Sequence, residues 1–317
     1  MQLVLRSFEI PRQICTATYR KISVFLQIMR EDVKKIADEE LCIVVIFFNP
    51  TQNQITQFEH LAEHISVIAV DNSKTSITTN NLIYLPQFQN RGIATAQNIG
   101  VWHAKEKRYN YIVFFDQDSK IGTDYVYQIL QEFLYLKSSD NRIATLGPVV
   151  KEESTSKEYK SLLSVKVPYS RVMSIISSGS ITETSVFDTV GFFEDALFID
   201  LVDCEWCWRA VNRGYHVYQT RNVELFHTVG KQCIKILGFY FGVSSSFRYF
   251  YSCRNLLWLC RRNYVPTRFK VKSLIRLIVE LVVIPFISEE GLLCTKNMLK
   301  GIWEGIKPQK SDDNNGL

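Results

Sequence analysis

Asp116-Gln117-Asp118-Ser119 closes the apolar run Tyr111-Ile112-Val113-Phe114-Phe115, so two carboxylates one residue apart stand where a buried strand meets solvent. Carboxylate oxygens can hold a divalent cation, and a cation held there can hold a diphosphate. A plain solvated strand end gives the same pattern. A second acidic group, Asp200, Asp203 and Glu205, punctuates the apolar and aromatic segment 198–206. An acid beside Trp206 and Phe198 is partly desolvated, which raises its pKa and equips it as a base. Asp203 and Glu205 also stand at a helix start, where carboxylates are stabilised in any case.

Three further places can supply ligand contacts. Phe48-Asn49-Pro50 and Asp71-Asn72-Ser73 close two other apolar runs. There an aromatic ring can stack on a base and a carboxylate can accept from a base N–H, although Asp71-Asn72-Ser73 also reads as an ordinary turn. Asn90-Arg91-Gly92, with Asn98-Ile99-Gly100 further on, opens a helix whose N–H groups and arginine suit a diphosphate. A simple N-cap at Asn90 is the competing reading. His227 follows a strand, and it either completes two aspartates on a metal or is structural.

These residues need elements to bring them together. Strands are expected over 42–48, 66–70, 82–85, 111–115, 143–146 and 215–219, from short apolar runs rich in β-branched residues. Helices are expected over 54–64, 93–107, 125–136, 183–190 and 205–213. The alternation predicts parallel strands with right-handed crossovers, and open sheets of this kind bind ligands outside the carboxyl ends of their strands. Residues 1–40 read as a helical lead-in, with apolar positions at helical spacing over 22–36. Residues 152–160 read as a surface loop, residues after His227 as helices, and 311–317 as a disordered tail.

The chain has 317 residues and is 46% hydrophobic, enough for a sizeable core. It lacks a run of about twenty uncharged apolar residues. Eight cysteines at irregular spacings, with no apolar signal segment before them, suggest reduced cytosolic thiols. Cys204 and Cys207 have the spacing of a redox or zinc pair, but standing alone inside a helix they read as buried thiols. Residues 231–310 carry fourteen basic residues against four acidic, which suggests an anionic surface as a neighbour. No nucleic acid partner is expected, because the basic residues form no recognisable reader module and the acids would be idle. A nucleotidyltransferase is disfavoured, because Phe48-Asn49-Pro50 stands where a Gly-rich basic loop would.

Taken together, the residues resemble the family 2 glycosyltransferases of GT-A fold, and within them the bacterial rhamnosyltransferases. The resemblance runs over about 41–262 and rests on Phe48-Asn49-Pro50, Val70-Asp71-Asn72-Ser73, Asn90 to Gly100, Phe115-Asp116-Gln117-Asp118-Ser119, Ile176-Ser177-Ser178-Gly179-Ser180, the stretch 197–206, Arg209, His227 and Arg254-Asn255. It implies an α/β fold of GT-A type, a Rossmann-like and mostly parallel sheet flanked by helices, with a C-terminal helical region. The implied division is a lead-in over 1–40, a catalytic domain over 41–230 and a basic helical region over 231–310. Phe47 departs from the small polar residue usual in the subgroup.

The resemblance also implies roles. Asp116, Asp118 and His227 would hold Mg2+ or Mn2+ against the donor diphosphate. Phe48, Asn49, Asp71, Arg91, Asn98, Gln117 and Trp206 would contact the nucleotide sugar. Asp203 would be the catalytic base and Glu205 the second acid, with Asp200 a rival. The implied reaction is inverting transfer of L-rhamnose from dTDP-L-rhamnose to a glycan, with a lipid-linked surface polysaccharide as acceptor. A UDP-hexose or UDP-galactofuranose donor is the alternative. The basic end, with Arg254, Arg261, Arg262, Arg268, Lys270 and Lys272 among Leu256, Leu257, Trp258, Tyr264 and Phe269, would either lie on an anionic leaflet or pack internally or in a homo-oligomer. The expected location is the cytoplasm or the inner face of the membrane.

Overall fold

The computed structural model describes residues 31–152, 167–227, 233–236, 239–242 and 244–307. Helix α1 (31–40) leads into β1 (Leu41–Phe47), α2 (Gln52–Ala62), β2 (Ser66–Asp71), β3 (Ile83–Pro86), α3 (Gly92–Glu106), β4 (Tyr111–Asp116) and α4 (Thr123–Lys137). The chain continues through β5 (Ile143–Glu152), β6 (Tyr169–Val172), β7 (Ile181–Glu183), α5 (Val186–Val190), α6 (Val202–Asn212) and β8 (His216–His227). The hairpin β9 (Cys233–Ile236) and β10 (Phe239–Gly242) precedes α7 (Ser246–Cys260), α8 (Thr267–Ile287) and α9 (Gly291–Ile306).

Eight strands form one sheet in the order β3-β2-β1-β4-β7-β5-β8-β6. β3, β2, β1 and β4 are parallel, β5 and β8 are parallel, and β7 and β6 run antiparallel to their neighbours. This is the mostly parallel α/β sheet of the GT-A fold, with helices following it at the C-terminus.

β1 explains how the sheet is buried on both faces. Every residue in it is buried, and alternate side chains point to opposite faces. Leu41, Ile43, Val45 and Phe47 join Phe58 of α2 and Val126, Ile129 and Phe133 of α4. Cys42, Val44 and Ile46 join Ala94 and Val101 of α3 and Trp206 and Ala210 of α6. α2 begins with a capping box, in which Thr51 N–H donates to Gln54 Oε1 at 2.8 Å and Gln54 N–H to Thr51 Oγ1 at 3.4 Å. Val33 and Ala37 of α1, one turn apart, are buried on the first face, so the end of the lead-in belongs to this core.

Several expectations need correction. β7 lies where the start of a 183–190 helix was expected, and α5 begins only at Val186. With Thr182 at its centre and serines before it, this short strand carries little apolar signal. β8 runs on to His227 rather than ending at Gln219. The register shift opposite Pro148 and Val149 interrupts its pattern. The hairpin β9–β10 occupies a region read as helical. The 152–160 loop, apart from residue 152 at the end of β5, the 311–317 tail and the lead-in before residue 31 lie outside the described residues. α9 crosses α7 closely, and a Cβ on Gly301 would come within 2.2 Å of Phe250 O, so glycine is needed there.

Candidate active site

In the strand order, β1 and β4 are neighbours reached by chain running in opposite directions along the sheet, the switch point at which open sheets form a crevice. Phe48 and Gln117, just past the ends of these strands, bridge it. Phe48 N–H donates to Gln117 Oε1 at 2.8 Å and Gln117 Nε2 donates to Phe48 O at 3.2 Å. Asn49 adopts φ 48°, its N–H donates to Ser73 Oγ at 2.7 Å, and the Phe48 ring stays 48% exposed.

Asp71 ends β2 with its carboxylate buried. Its Oδ1 accepts from Ser73 N–H at 2.9 Å and Ser73 Oγ at 2.5 Å, and its Oδ2 accepts from Tyr84 OH at 2.7 Å. Burial, reinforced by this carboxylate, pushes the Tyr84 phenol up to about 12. Asp71 therefore shapes the turn that follows β2.

The start of α3 differs from expectation. Gly92 N–H donates to Asn90 Oδ1 at 2.9 Å, and Ile93 and Ala94 N–H both point to Phe198 O, at 2.7 and 3.4 Å. The N–H groups expected to receive a diphosphate are thus taken by the chain itself. Gly92 has φ 83°, and a Cβ there would stand 2.6 Å from Phe198 O, so this close approach needs glycine. Arg91 is exposed at the N-cap. Asn98 clamps the next loop: its Nδ2 donates to Phe193 O at 2.7 Å and Asp195 Oδ1 at 2.8 Å, and its Oδ1 accepts from Phe193 N–H at 2.9 Å.

At the end of β4, Asp116 is partly buried and Asp118 exposed. The turn between them is held by Ser119 N–H on Asp116 O at 3.1 Å and by Gln57 Nε2 on Ser119 O at 2.6 Å. From the β7 side, Ser178 Oγ accepts from Asp116 N–H at 3.2 Å and meets the buried Ser119 Oγ at 2.8 Å. His227 ends β8 in register with Glu152, and its side chain lies outside what is described. Among the described residues there is no group of three or more His, Cys, Asp or Glu that could hold a metal. Two carboxylates on a fixed turn nevertheless fit Mg2+ or Mn2+, which bind through one or two carboxylates together with substrate phosphates rather than in all-protein cages.

The segment 194–205 is bound by helices that follow it far along the chain. Phe198, Asp200 and Leu201 have φ of 64°, 67° and 66°, a left-handed conformation unfavourable for such residues. Asn255 of α7, fully buried, fixes it by donating through Nδ2 to Leu197 O, Ile199 O and Asp200 O at 2.9, 2.8 and 3.0 Å. Arg254 Nη2 donates to Ala196 O at 2.5 Å while its guanidinium lies 4.2 Å from the Trp258 ring and 4.7 Å from Tyr251. Tyr251 stacks on Phe198 at 4.6 Å and 14°.

The three acids of this segment divide by environment. Asp200 forms an ion pair with Arg248 of α7. Burial opposes the charge of Arg248, but the Asp200 hydrogen bond and the charges of Asp200 and Asp116 outweigh it and raise its pKa. Asp203 is partly buried at the start of α6, and its Oδ1 accepts from Cys204 N–H at 2.8 Å. Burial pushes its pKa up, partly countered by backbone N–H groups including that of Ser177.

Glu205 and Trp206 do not face the crevice. Glu205 is fully buried: Oε1 accepts from Arg209 Nε at 2.8 Å, Tyr264 OH at 2.6 Å and Arg262 Nη1 at 3.3 Å, and Oε2 accepts from Arg209 Nη2 at 2.8 Å. Arg262 is in turn paired with Glu194. One helical position further, Trp206 is buried beside Phe187 and Phe193, its Nε1 donating to Gly191 O at 2.8 Å. Both side chains are thus held in the packing around α6. Cys207 is buried, its thiol pushed up to about 12, consistent with inert thiols. Arg248 was missed because nothing near it in the sequence marks it.

No family model matches the chain. A dTDP-rhamnosyl transferase of Shigella flexneri, RfbF, is 28% identical over 285 residues, covering 83% of this chain and 94% of that protein. Among solved structures, S. aureus TarS aligns with a TM-score of 0.51 and 13% identity, over 85% of this chain and 49% of that one. GalNAc-T7 crystallised with UDP, GalNAc and Mn2+ aligns with a TM-score of 0.45 and 13% identity, over 73% of this chain and 53% of that one. The chain spans about half the length of these two solved structures. The sequence likeness and the GT-A architecture together support a glycosyltransferase.

Proposed function

We propose that this protein is an inverting, metal-dependent family 2 glycosyltransferase that moves L-rhamnose from dTDP-L-rhamnose to a hydroxyl of a growing, lipid-linked surface polysaccharide at the cytoplasmic face of the membrane. One observation carries the reading. Two adjacent serines tie the acidic groups to one edge of the sheet: Ser178 Oγ bonds the backbone of Asp116, and the Ser177 N–H faces the Asp203 carboxylate. The similarity to a dTDP-rhamnosyl transferase over most of its length supports the donor.

Asp203 takes the proton from the acceptor hydroxyl as that oxygen attacks the anomeric carbon opposite the departing diphosphate, which inverts the centre. Its raised pKa suits a base that must recover its proton affinity in a partly dry site. Bound at Asp116 and Asp118, with His227 as a further donor, Mg2+ or Mn2+ would neutralise charge on the diphosphate. Arg248, already under the field of Asp116, adds a fixed positive charge at that edge. Phe48, with its exposed ring, and Asp71 line the part of the crevice assigned to the base, beside Asn49, Gln117 and Arg91.

The test is release of nucleotide from dTDP-L-rhamnose, UDP-glucose, UDP-galactose and UDP-galactofuranose by the purified protein with Mg2+ or Mn2+. Slow metal-dependent hydrolysis of dTDP-L-rhamnose alone is expected. Hydrolysis of a UDP sugar instead overturns the donor, and absence of both turnover and binding for all of them overturns the enzymatic reading.

A further inference from the structure

α8 and α9 are amphipathic twice over. Inward, Phe269, Leu277 and Ile284 of α8 and Cys294 and Met298 of α9 pack with α7 or with Trp208 of α6. Outward, α8 exposes Val271, Ile275, Ile278, Val282 and Phe286, spaced by four, three, four and four residues. That spacing is one stripe along a helix. α9 likewise exposes Leu292, Leu299, Trp303 and Ile306, and Phe286 and Trp303 are 85% and 68% exposed. An apolar surface on this scale marks a contact rather than ordinary surface. Arg268, Lys272 and Arg276 follow the α8 stripe at intervals of four, and Lys296, Lys300 and Lys307 accompany that of α9. A depression of about 460 Å3 at the start of α8 is lined by Thr267, Arg268, Val271, Lys272 and Ile275.

From this face we infer that the outer surface of α8 and α9 docks on the anionic leaflet of a phospholipid bilayer. Charge decides the occupant. The acids on these helices, Glu280 and Glu304, are each paired on their own helix, with Arg276 at 2.7 Å and Lys307 at 2.6 Å, and Glu289 and Glu290 lie in the turn between the helices. A second copy placed face to face would oppose lysines to lysines, whereas phosphate headgroups complement them while acyl chains receive the apolar stripe. An indole such as that of Trp303 suits the headgroup level. No helix among the described residues is long and apolar enough to cross a membrane, so the face lies in the plane of the interface. The residues that sequence alone offered for this contact mostly have other partners: Arg254 holds the 196–197 carbonyls, Arg262 and Tyr264 hold Glu205, and Leu256 is buried. The inference deepens the proposed function and rests for its purpose on the lipid-linked acceptor.

The experiment is flotation of the full-length protein with phosphatidylcholine vesicles and with vesicles containing about one-third phosphatidylglycerol, alongside donor hydrolysis in solution. Expected is flotation with the anionic vesicles only, weakened by salt. The pair Lys272→Glu and Lys300→Glu should lower partition at least about tenfold, as should Ile278→Ser with Trp303→Ser, each leaving melting temperature and hydrolysis unchanged. Absence of flotation by the parent protein overturns the inference, as does full binding by both variants. A dimer that Ile278→Ser and Trp303→Ser dissociate, with no flotation, overturns it in favour of a second copy. Loss of hydrolysis with flotation intact would instead strike at the proposed function alone.

Discussion

Glu205 tests whether an acid within a recognised motif acts on substrate or on the fold. Its carboxylate is fully buried and receives four donors from three residues, Arg209, Arg262 and Tyr264. Replacing it with Ala leaves two guanidinium groups and a phenol facing an apolar gap. Removing one partner of a buried pair costs about 3–5 kcal/mol. For a chain of this size that corresponds to a fall in melting temperature on the order of 10 °C. Glu205→Gln, which keeps the volume and one acceptor, should lose less. Tyr264→Phe removes the hydroxyl that donates to Glu205 and accepts from Arg262 Nη1 at 2.9 Å, each bond to a charged group being worth about 1.5–3 kcal/mol, and its cost should shrink in the Glu205→Gln background by more than about 0.5 kcal/mol. The assay is thermal and urea denaturation followed by donor hydrolysis at a temperature where each variant is folded. A Glu205→Gln protein that melts like the parent yet has lost turnover would refute this reasoning and return Glu205 to the chemistry.

Two further predictions concern Asp203 and Asp118. Asp203→Asn should retain donor binding and lose acceptor transfer by at least about a hundredfold. Because burial raises the folded pKa of Asp203, its stabilising contribution is full below the unfolded value near about 3.9 and is lost as pH rises through the folded value. At pH 7 the Asn variant should therefore resist urea better than the parent, an advantage that disappears toward acid. Turnover near the parent level would remove Asp203 from the mechanism. Asp118→Ala, at an exposed position, should leave the melting temperature within about 1 °C of the parent. It should also weaken donor binding and abolish its dependence on Mg2+ or Mn2+, measured by calorimetry with and without chelator, and donor binding at the parent level would refute the metal assignment.

Much of the sheet was legible because its strands obey local rules. β1, β2 and β4 are continuous apolar runs that only a strand covered on both faces can use, and each ends in Asn, Asp or both within two residues. β7 was not legible, because Ile181-Thr182-Glu183 is held by its place between β4 and β5 rather than by its own composition. Asn98 was legible as a polar residue on a helix near the crevice, but its three bonds to the 193–195 loop depend on a contact 95 residues away. The N–H groups of α3 show the same limit, since a helix start looks open in sequence whether or not a distant carbonyl, here that of Phe198, fills it.

The acidic segment shows why roles within a motif escape a sequence. Asp200, Asp203 and Glu205 share a stretch of six residues, yet what each does is set by partners far along the chain: Arg248, 48 residues on, for Asp200, and Arg262 and Tyr264, 57 and 59 residues on, for Glu205. Asp203 is distinguished by what it lacks, a cationic partner among its principal contacts, so desolvation dominates and its pKa rises. The left-handed residues Phe198, Asp200 and Leu201 cost on the order of 1–3 kcal/mol each, and Asn255, with its amide on three carbonyls of that segment, offsets part of this. A helix outside the sheet thus holds a strained loop, with Glu205 turned inward and Asp203 partly buried at the start of α6. Contacts from α7 to the loop before Asp203 therefore cross the division near residue 230 that the composition of the chain invites.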